Sequence, residues 1–300
     1  MSLKQFANSI GRIWGNRHIH RGRGLVKHLQ WQRRKAFNLF PFEQHISHSR
    51  IMASHRGCGV SALIHSQGLY DYNNMNLIQD LLRDGGTFVD IGANIGSYTI
   101  IGSENSGAHV HAFEPHPSTF QLLRKNIELN QRSNVTLHNM ALGSSEGEVF
   151  LTDRSGSSIN HIVPGTCQPG GTVAVPCHRM DTLCQSAAIM PQIVKIDVEG
   201  FEYDVLLGFG DVLSSVHVLM IEMNGLADGR SHGQQEIHSL LISRGFTGPW
   251  TCRFNQRQLL PVKTLVSEDS IYVSSAFRQD GLRARLTFIE AAPILSLPNR

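Results

Sequence analysis

Thr87-Phe88-Val89-Asp90-Ile91-Gly92-Ala93-Asn94-Ile95-Gly96-Ser97-Tyr98-Thr99 is the stretch from which the fold is read. An apolar, largely β-branched run carries an acid at Asp90, breaks at Gly92 to Gly96, and resumes as a second apolar segment. That pattern is a buried strand turning tightly into a helix. Gly92 and Gly96 lack a Cβ, so the main chain can take positive φ and let a ligand lie against it. The following helix offers unpaired N–H groups. Such a turn is a cradle for a small molecule.

The same alternation extends to both sides. Met75, Ile78, Leu81 and Leu82 recur at helical spacing behind Asn73 and Asn74, and Arg83-Asp84-Gly85-Gly86 ends that helix ahead of the strand. After the helix begun at Gly96 come a strand over His109 to Phe113 and a helix with Phe120, Leu123 and Ile127 on one face, capped by Ser118 with Gln121. Val135 to Leu137 reads as a third strand, Ile193 to Asp197 and Val216 to Ile221 as two more. A helix through Ile237, Leu240 and Leu241 is capped by Ser231. Strands separated by helical patterns imply right-handed crossovers and a parallel sheet. Phe246 to Thr251 and Ser270 to Ser275 are expected to close it as an antiparallel pair at the edge. Val60 to Ile64, between glycines, reads as a short strand, Glu146 to Thr152 as an exposed one, and residues 155–171 as a long loop forming part of an acceptor wall.

At 300 residues and 41% hydrophobic content the chain can bury one large core. No run of about 18 apolar residues occurs, so no membrane span is expected. Five cysteines (Cys58, Cys167, Cys177, Cys184 and Cys252) form no Cys-x-x-Cys pair, which fits a reducing cytoplasm better than a disulfide framework. The net charge of +3 is uneven. Residues 1–50 hold ten Lys or Arg against the single acid Glu43, leaving −6 for the rest. This basic arm points to a peripheral contact with an anionic surface, with a solvated extension as the plainer reading. Residues 51–276 are expected to form the catalytic domain and residues 277–300 a tail.

Glu114, Asp197 and Glu222 fall at carboxyl ends of expected parallel strands, with Asp90 just inside its own. Ligands in open α/β sheets bind outside those ends. Glu114 follows Asp90 by 24 residues, the separation at which a second strand delivers a carboxylate to a ribose diol. The turn chooses among nucleoside cofactors. A dinucleotide fingerprint would need glycine at Gly92, Asn94 and Ser97, and two of those three are missing. An acid at Asp90 repels phosphate but suits an ammonium or sulfonium group. S-adenosyl-L-methionine is favoured over NAD.

With these residues in place the chain resembles the FkbM-type S-adenosylmethionine-dependent methyltransferases. The resemblance rests on the run from Phe88 to Gly96 with Tyr98-Thr99, on Phe113-Glu114-Pro115, on Asn139 with Ala141-Leu142-Gly143, and on Leu183 after Asp181. Its strongest part is Lys195-Ile196-Asp197-Val198-Glu199-Gly200-Phe201-Glu202, followed by Val205-Leu206 and Gly208. It implies an α/β class I methyltransferase (Rossmann-like) fold, with a mostly parallel seven-stranded sheet and helices on both faces. It also implies O-methylation of a hydroxyl on a sugar, glycan or secondary metabolite. Asp90, Gly92, Ala93, Asn94 and Gly96 would hold the amino-acid part of the cofactor together with Asp197. Glu114 and Pro115 would meet its ribose, and Asn139, Met140 and Ala141 would border its adenine.

Methyl transfer to an alcohol needs alignment and a base for the departing proton. Asp197 is the first candidate base, with Glu199, Glu202 and Glu222 as helpers or acceptor-binding groups. The plainer readings are a turn-capping role for Asp90 or Asp197, a solvated helix position for Glu202 and a salt bridge for Glu222. No resident metal is expected, the rival being Mg²⁺ held by the acid cluster. An NAD-dependent oxidoreductase and a non-catalytic cofactor-binding module are the alternatives from other classes. The arm suggests a nucleic-acid methyltransferase, but no base-flipping Asn-Pro-Pro-Tyr-like tetrad occurs, and no stable nucleic-acid partner is expected.

Overall fold

The computed structural model describes residues 21–153, 160–163, 171–223, 233–262, 267–277 and 286–289. Helices α1 (Arg21–Ala36), α2 (Gly59–Gln67) and α3 (Tyr72–Leu81) flank an antiparallel hairpin of β1 (Phe42–Ile46) and β2 (Ser49–Ala53). The main sheet then starts with β3 (Gly86–Ile91), α4 (Ser97–Gly102), β4 (Ala108–Phe113), α5 (Pro117–Leu129) and β5 (Val135–His138). A four-stranded insertion follows, from β6 (Ala141–Leu142), β7 (Gly147–Thr152), β8 (Ile162–Val163) and β9 (Thr172–His178). The chain returns through α6 (Met180–Ala187), β10 (Ile193–Ile196), α7 (Glu202–Gly208), β11 (Val218–Met223) and α8 (Gln234–Ser243). It finishes with β12 (Phe246–Arg253), β13 (Gln258–Pro261), β14 (Ser267–Ser274) and β15 (Thr287–Phe288).

The main sheet runs β15-β13-β12-β14-β11-β10-β3-β4-β5. The strands β5, β4, β3, β10 and β11 are parallel to their neighbours, and β14 enters antiparallel between β11 and β12. The order reverses between β3 and β10, which opens the crevice where α/β folds place their ligands. The expected mostly parallel α/β sheet with helices on both faces is present, with two further strands, β13 and β15, beyond the seven. The pair expected at the edge is displaced inward. Ile271, Tyr272 and Val273 of β14 are fully buried and need a strand on each side, so β14 lies between β11 and β12.

Period-two alternation assigns β3 to both cores. Phe88 packs with Met75, Ile78, Tyr98 and Leu123 on one face of the sheet. Val89 and Ile91 pack with Val194, Val205 and Phe209 on the other. Asp90 shares the Phe88 face and is set against α4.

Several local expectations shift. Val60 to Ile64 lies in helix α2 rather than in a strand, because a short apolar run does not by itself distinguish the two and this one packs against α1. The cap of α3 is Asp71, whose carboxylate accepts from the Asn74 N–H, not Asn73 or Asn74. Helix α5 starts at Pro117 behind His116, where a fixed φ and a missing N–H cost nothing, and Ser118 forms no capping box. Ser231 lies outside the described residues, and the Glu236 carboxylate accepts from the Gly233 N–H at the start of α8. Residue 50 is not an element boundary, since β1 and β2 pair across it.

Helix α1 docks through Trp31, which is 4% exposed and packs edge-on against Phe40 and Phe42, 5.2 and 5.9 Å between ring centroids. Trp31→Ala is expected to lower unfolding free energy by about 3–5 kcal/mol in a urea titration, whereas an arm merely resting on the body would leave it unchanged.

Candidate active site

A cavity opens at the carboxyl ends of β3, β4, β10 and β11. Asp90, Gly92, Ala93, Asn94, Glu114, Pro115, Met140, Ala141, Asp197, Glu199 and Glu222 all line it, so most of the residues expected at the site are brought together. Gly96 and Asn139 are absent from its wall. Gly96 forms the left-handed cap of α4. The Asn139 amide donates to the carbonyl oxygens of Glu114 and Pro115 at 2.9 and 3.0 Å, fastening the loop behind the cavity.

The turn after β3 is held by two N–H groups, Gly92 and Ala93, both donating to the Phe113 carbonyl at 2.9 Å. Gly92 has φ +80°, and a Cβ there would overlap the Asp197 carbonyl oxygen. Close approach of the β3 and β10 turns therefore requires glycine at this position of the cavity wall. Glu202, expected to be a helper or a solvated position, is 2% exposed and accepts from the N–H groups of Val198 and Gly200 at 3.3 and 2.9 Å. It locks the loop that carries Asp197 and Glu199.

Asp90 is 1% exposed. One carboxylate oxygen accepts from the Thr99 hydroxyl at 2.6 Å; the other, Oδ1, has no hydrogen-bond partner. Burial raises its pKa against the opposing pull of Lys195. A buried acceptor without a donor costs free energy that a cationic or N–H-bearing ligand in the cavity would recover. Glu114 accepts from the N–H groups of Asn94 and His116, each at 2.9 Å, and burial raises it to about 7. Its remaining lone pairs are suited to a vicinal diol. These two acids, 24 residues apart, fit the amino-acid and ribose ends of S-adenosylmethionine.

The far side of the cavity is organised by Lys195, which sits mid-strand in β10, opposite Asp90 in register. Its ammonium donates to Asp197 Oδ2 at 2.7 Å and lies 4.9 Å from the centre of the Tyr98 ring. Burial disfavours the charge on both groups, but their mutual attraction dominates, keeping Lys195 protonated and Asp197 ionised. Glu222 behaves oppositely. Burial and then the adjacent Asp197 charge push it to about 9. Asp197, Glu199 and Glu222 each present an oxygen within 4.8 Å of the others, a spacing that also suits a divalent cation.

Sequence reasoning left Lys195 out of the site residues, although a lysine inside the apolar run Ile193 to Ile196 signals a buried partner. Tyr70 also lines the cavity and accepts from the Ser97 hydroxyl at 3.4 Å. It belongs to no motif and had no signal. Of the expected acceptor-wall loop, Asn160 and Ile162 reach the cavity; residues 155–159 and 164–170 lie outside the described residues.

Above the histidine range, Glu114, Asp269 and Glu222, at about 7, 8 and 9, still hold protons that the unfolded chain has released. Stability therefore falls as pH rises through these values. The melting temperature of the ligand-free protein is expected to drop between about pH 7 and pH 9, and Glu222→Gln to flatten that slope; a rise over this interval would contradict the assignment.

Residues 90–247 match the family model described as the methyltransferase FkbM domain. The chain is 33% identical over 141 residues to the hexuronic acid methyltransferase AglP of Haloferax volcanii, a match covering 46% of this chain and 56% of that protein. It is 30% identical over 149 residues to methyltransferase 1 of Beauveria bassiana, covering 43% and 60% respectively. The matches thus span little more than half the length of these relatives. Among solved structures, a SAM-dependent methyltransferase from Agrobacterium tumefaciens is 8% identical with a TM-score of 0.40, covering 68% of this chain and 58% of that one.

Proposed function

The chain belongs to the FkbM methyltransferase family, and from that premise we propose that it uses S-adenosylmethionine to methylate a hydroxyl oxygen on a sugar, glycan or secondary metabolite. The observation that carries the cofactor reading is the buried carboxylate of Asp90 among the residues lining the cavity that Glu114 also lines. It suits the ammonium of the cofactor's amino-acid part, as Glu114 suits the ribose hydroxyls and half-buried Met140 the adenine. When bound, the cofactor supplies an electrophilic methyl carbon on a cationic sulfonium.

The protein's part is to bind, to orient and to accept a proton. An alcohol becomes a competent nucleophile as its O–H proton leaves. The Asp197 carboxylate, held ionised by Lys195, is a weak base on its own. Glu222 carries the pair's one proton in the ligand-free protein, so we assign the hydroxyl proton to the Asp197–Glu222 pair once that first proton has left to solvent. A cation in the cavity lowers the affinity of both groups and brings the pair closer to neutral pH.

The same acids bear on the acceptor. Glu199 and Glu222 face the cavity while its buried cation, Lys195, is already committed to Asp197. A carboxylate-bearing acceptor would find the buried ammonium of Lys195 already paired with Asp197, whereas a neutral polyol would find hydrogen-bond partners. The hexuronic acid named for the archaeal relative is thus a less suitable acceptor here than an uncharged sugar or metabolite hydroxyl. The proposed compartment is the cytoplasm. No helix of the described residues is long and apolar enough to cross a membrane.

Incubation with methyl-labelled cofactor and fractionated extract is expected to place label on neutral glycans or small hydroxylated metabolites; label in nucleic acid, or none in any fraction, would overturn the reading. Asp90→Asn is expected to weaken S-adenosylhomocysteine binding about tenfold or more in calorimetry. Asp197→Asn and Glu222→Gln are expected to retain that binding and to slow turnover about 10²–10⁴-fold. A cation bridging the acids is the alternative to a shared proton, and turnover that survives EDTA, the outcome expected here, separates the two.

A further inference from the structure

Helix α1 buries one side and leaves the other without a partner among the described residues. Gly24, His28 and Trp31 face inward. On the outer side lie Val26 and Leu29, exposed at 54% and 51%, and just beyond the helix end Phe37 and Leu39, at 70% and 48%. Positions 26, 29, 33 and 37 repeat at helical intervals and form one stripe. Single exposed apolar residues are ordinary. Here four of the seven large hydrophobic side chains exposed on the described surface fall within residues 26–39.

The charge around this stripe is of one sign. Arg21–Ala36 contains six Lys or Arg and no acid. Arg34 is engaged by the fold, with its guanidinium 3.8 Å from the centre of the Phe42 ring. Arg23, Lys27 and Arg33 remain exposed beside the apolar residues. The inward anchoring by Trp31 against Phe40, Phe42 and His65 holds the outer face in a fixed orientation.

We propose that this face is a docking surface for an anionic lipid membrane. A bilayer surface satisfies both halves of the pattern: the acyl boundary takes Val26, Leu29, Phe37 and Leu39, and acidic headgroups take Arg23, Lys27 and Arg33. Nucleic acid would satisfy the charges but offers no environment for three aliphatic side chains. Docking of this kind would hold the enzyme at the membrane independently of which acceptor its active site takes.

The test is flotation of the full chain with vesicles of phosphatidylcholine alone or of phosphatidylcholine with phosphatidylserine. Binding to the phosphatidylserine vesicles is expected to be at least about tenfold tighter than to phosphatidylcholine and to weaken with salt. The double variants Leu29→Ser with Phe37→Ser, and Arg23→Glu with Arg33→Glu, are each expected to weaken that binding at least about tenfold. All four positions are exposed, so melting temperature and S-adenosylhomocysteine binding should stay unchanged. Equal binding to both vesicle types, no binding to either, or binding that survives both double variants would overturn the proposal. So would preferential binding to RNA lost only in the charge variant, or self-association lost in the apolar variant without any lipid affinity.

Discussion

A lysine buried to 3% exposure must be matched by buried negative charge, and the candidate site is built around that requirement at Lys195. Burial alone would strip its proton; the adjacent Asp197 charge outweighs that tendency, with Asp90 adding to it. Removing either partner would leave an uncompensated charge in a dry environment, which costs far more than the pair contributes. Because Lys195 fixes Asp197 as the ionised member, Glu222 beside it is left as the member that keeps its proton. The division of labour among the acids follows from one ammonium group.

That electrostatic arrangement is sustained by backbone packing. The β3 and β10 turns approach so closely that only glycine fits at residue 92, and Glu202 ties the second turn from behind. A similar approach occurs where a Cβ on Gly208 in α7 would overlap the carbonyl oxygen of Gly143. These contacts make the cofactor half of the cavity stiff. One wall of the cavity comes in part from the insertion between β5 and α6, through Leu151, Asn160 and Ile162.

Much of this was legible in the residues themselves. Asp90, Gly92, Glu114 and Asp197 were recognisable because strand ends, turn glycines and carboxylates recur at spacings set by β-strand–helix units. Lys195 was visible as a charge inside an apolar strand, but its role depended on knowing that Asp90 lies opposite it. Helix α2 was misread because Val60 to Ile64 is too short for its period to be diagnostic. The helical face of α1 was obscured by interspersed basic residues, since its burial rests on Trp31, His28 and Gly24 rather than on a full apolar stripe.

The sequence by itself determined the parallel α/β architecture, the acidic cradle after β3 and the kind of cofactor that such a cradle holds. These depend on local periodicity, on glycine's missing Cβ and on the sign of a charge, all of which are carried by neighbouring residues. Only the tertiary structure decided that β14 lies inside the sheet, that Gly92 makes room for the Asp197 carbonyl, and that Glu222 rather than Asp197 retains the proton. Each of those depends on burial and on charges brought together from elements more than 20 residues apart, and desolvation has no value until the fold has excluded the water.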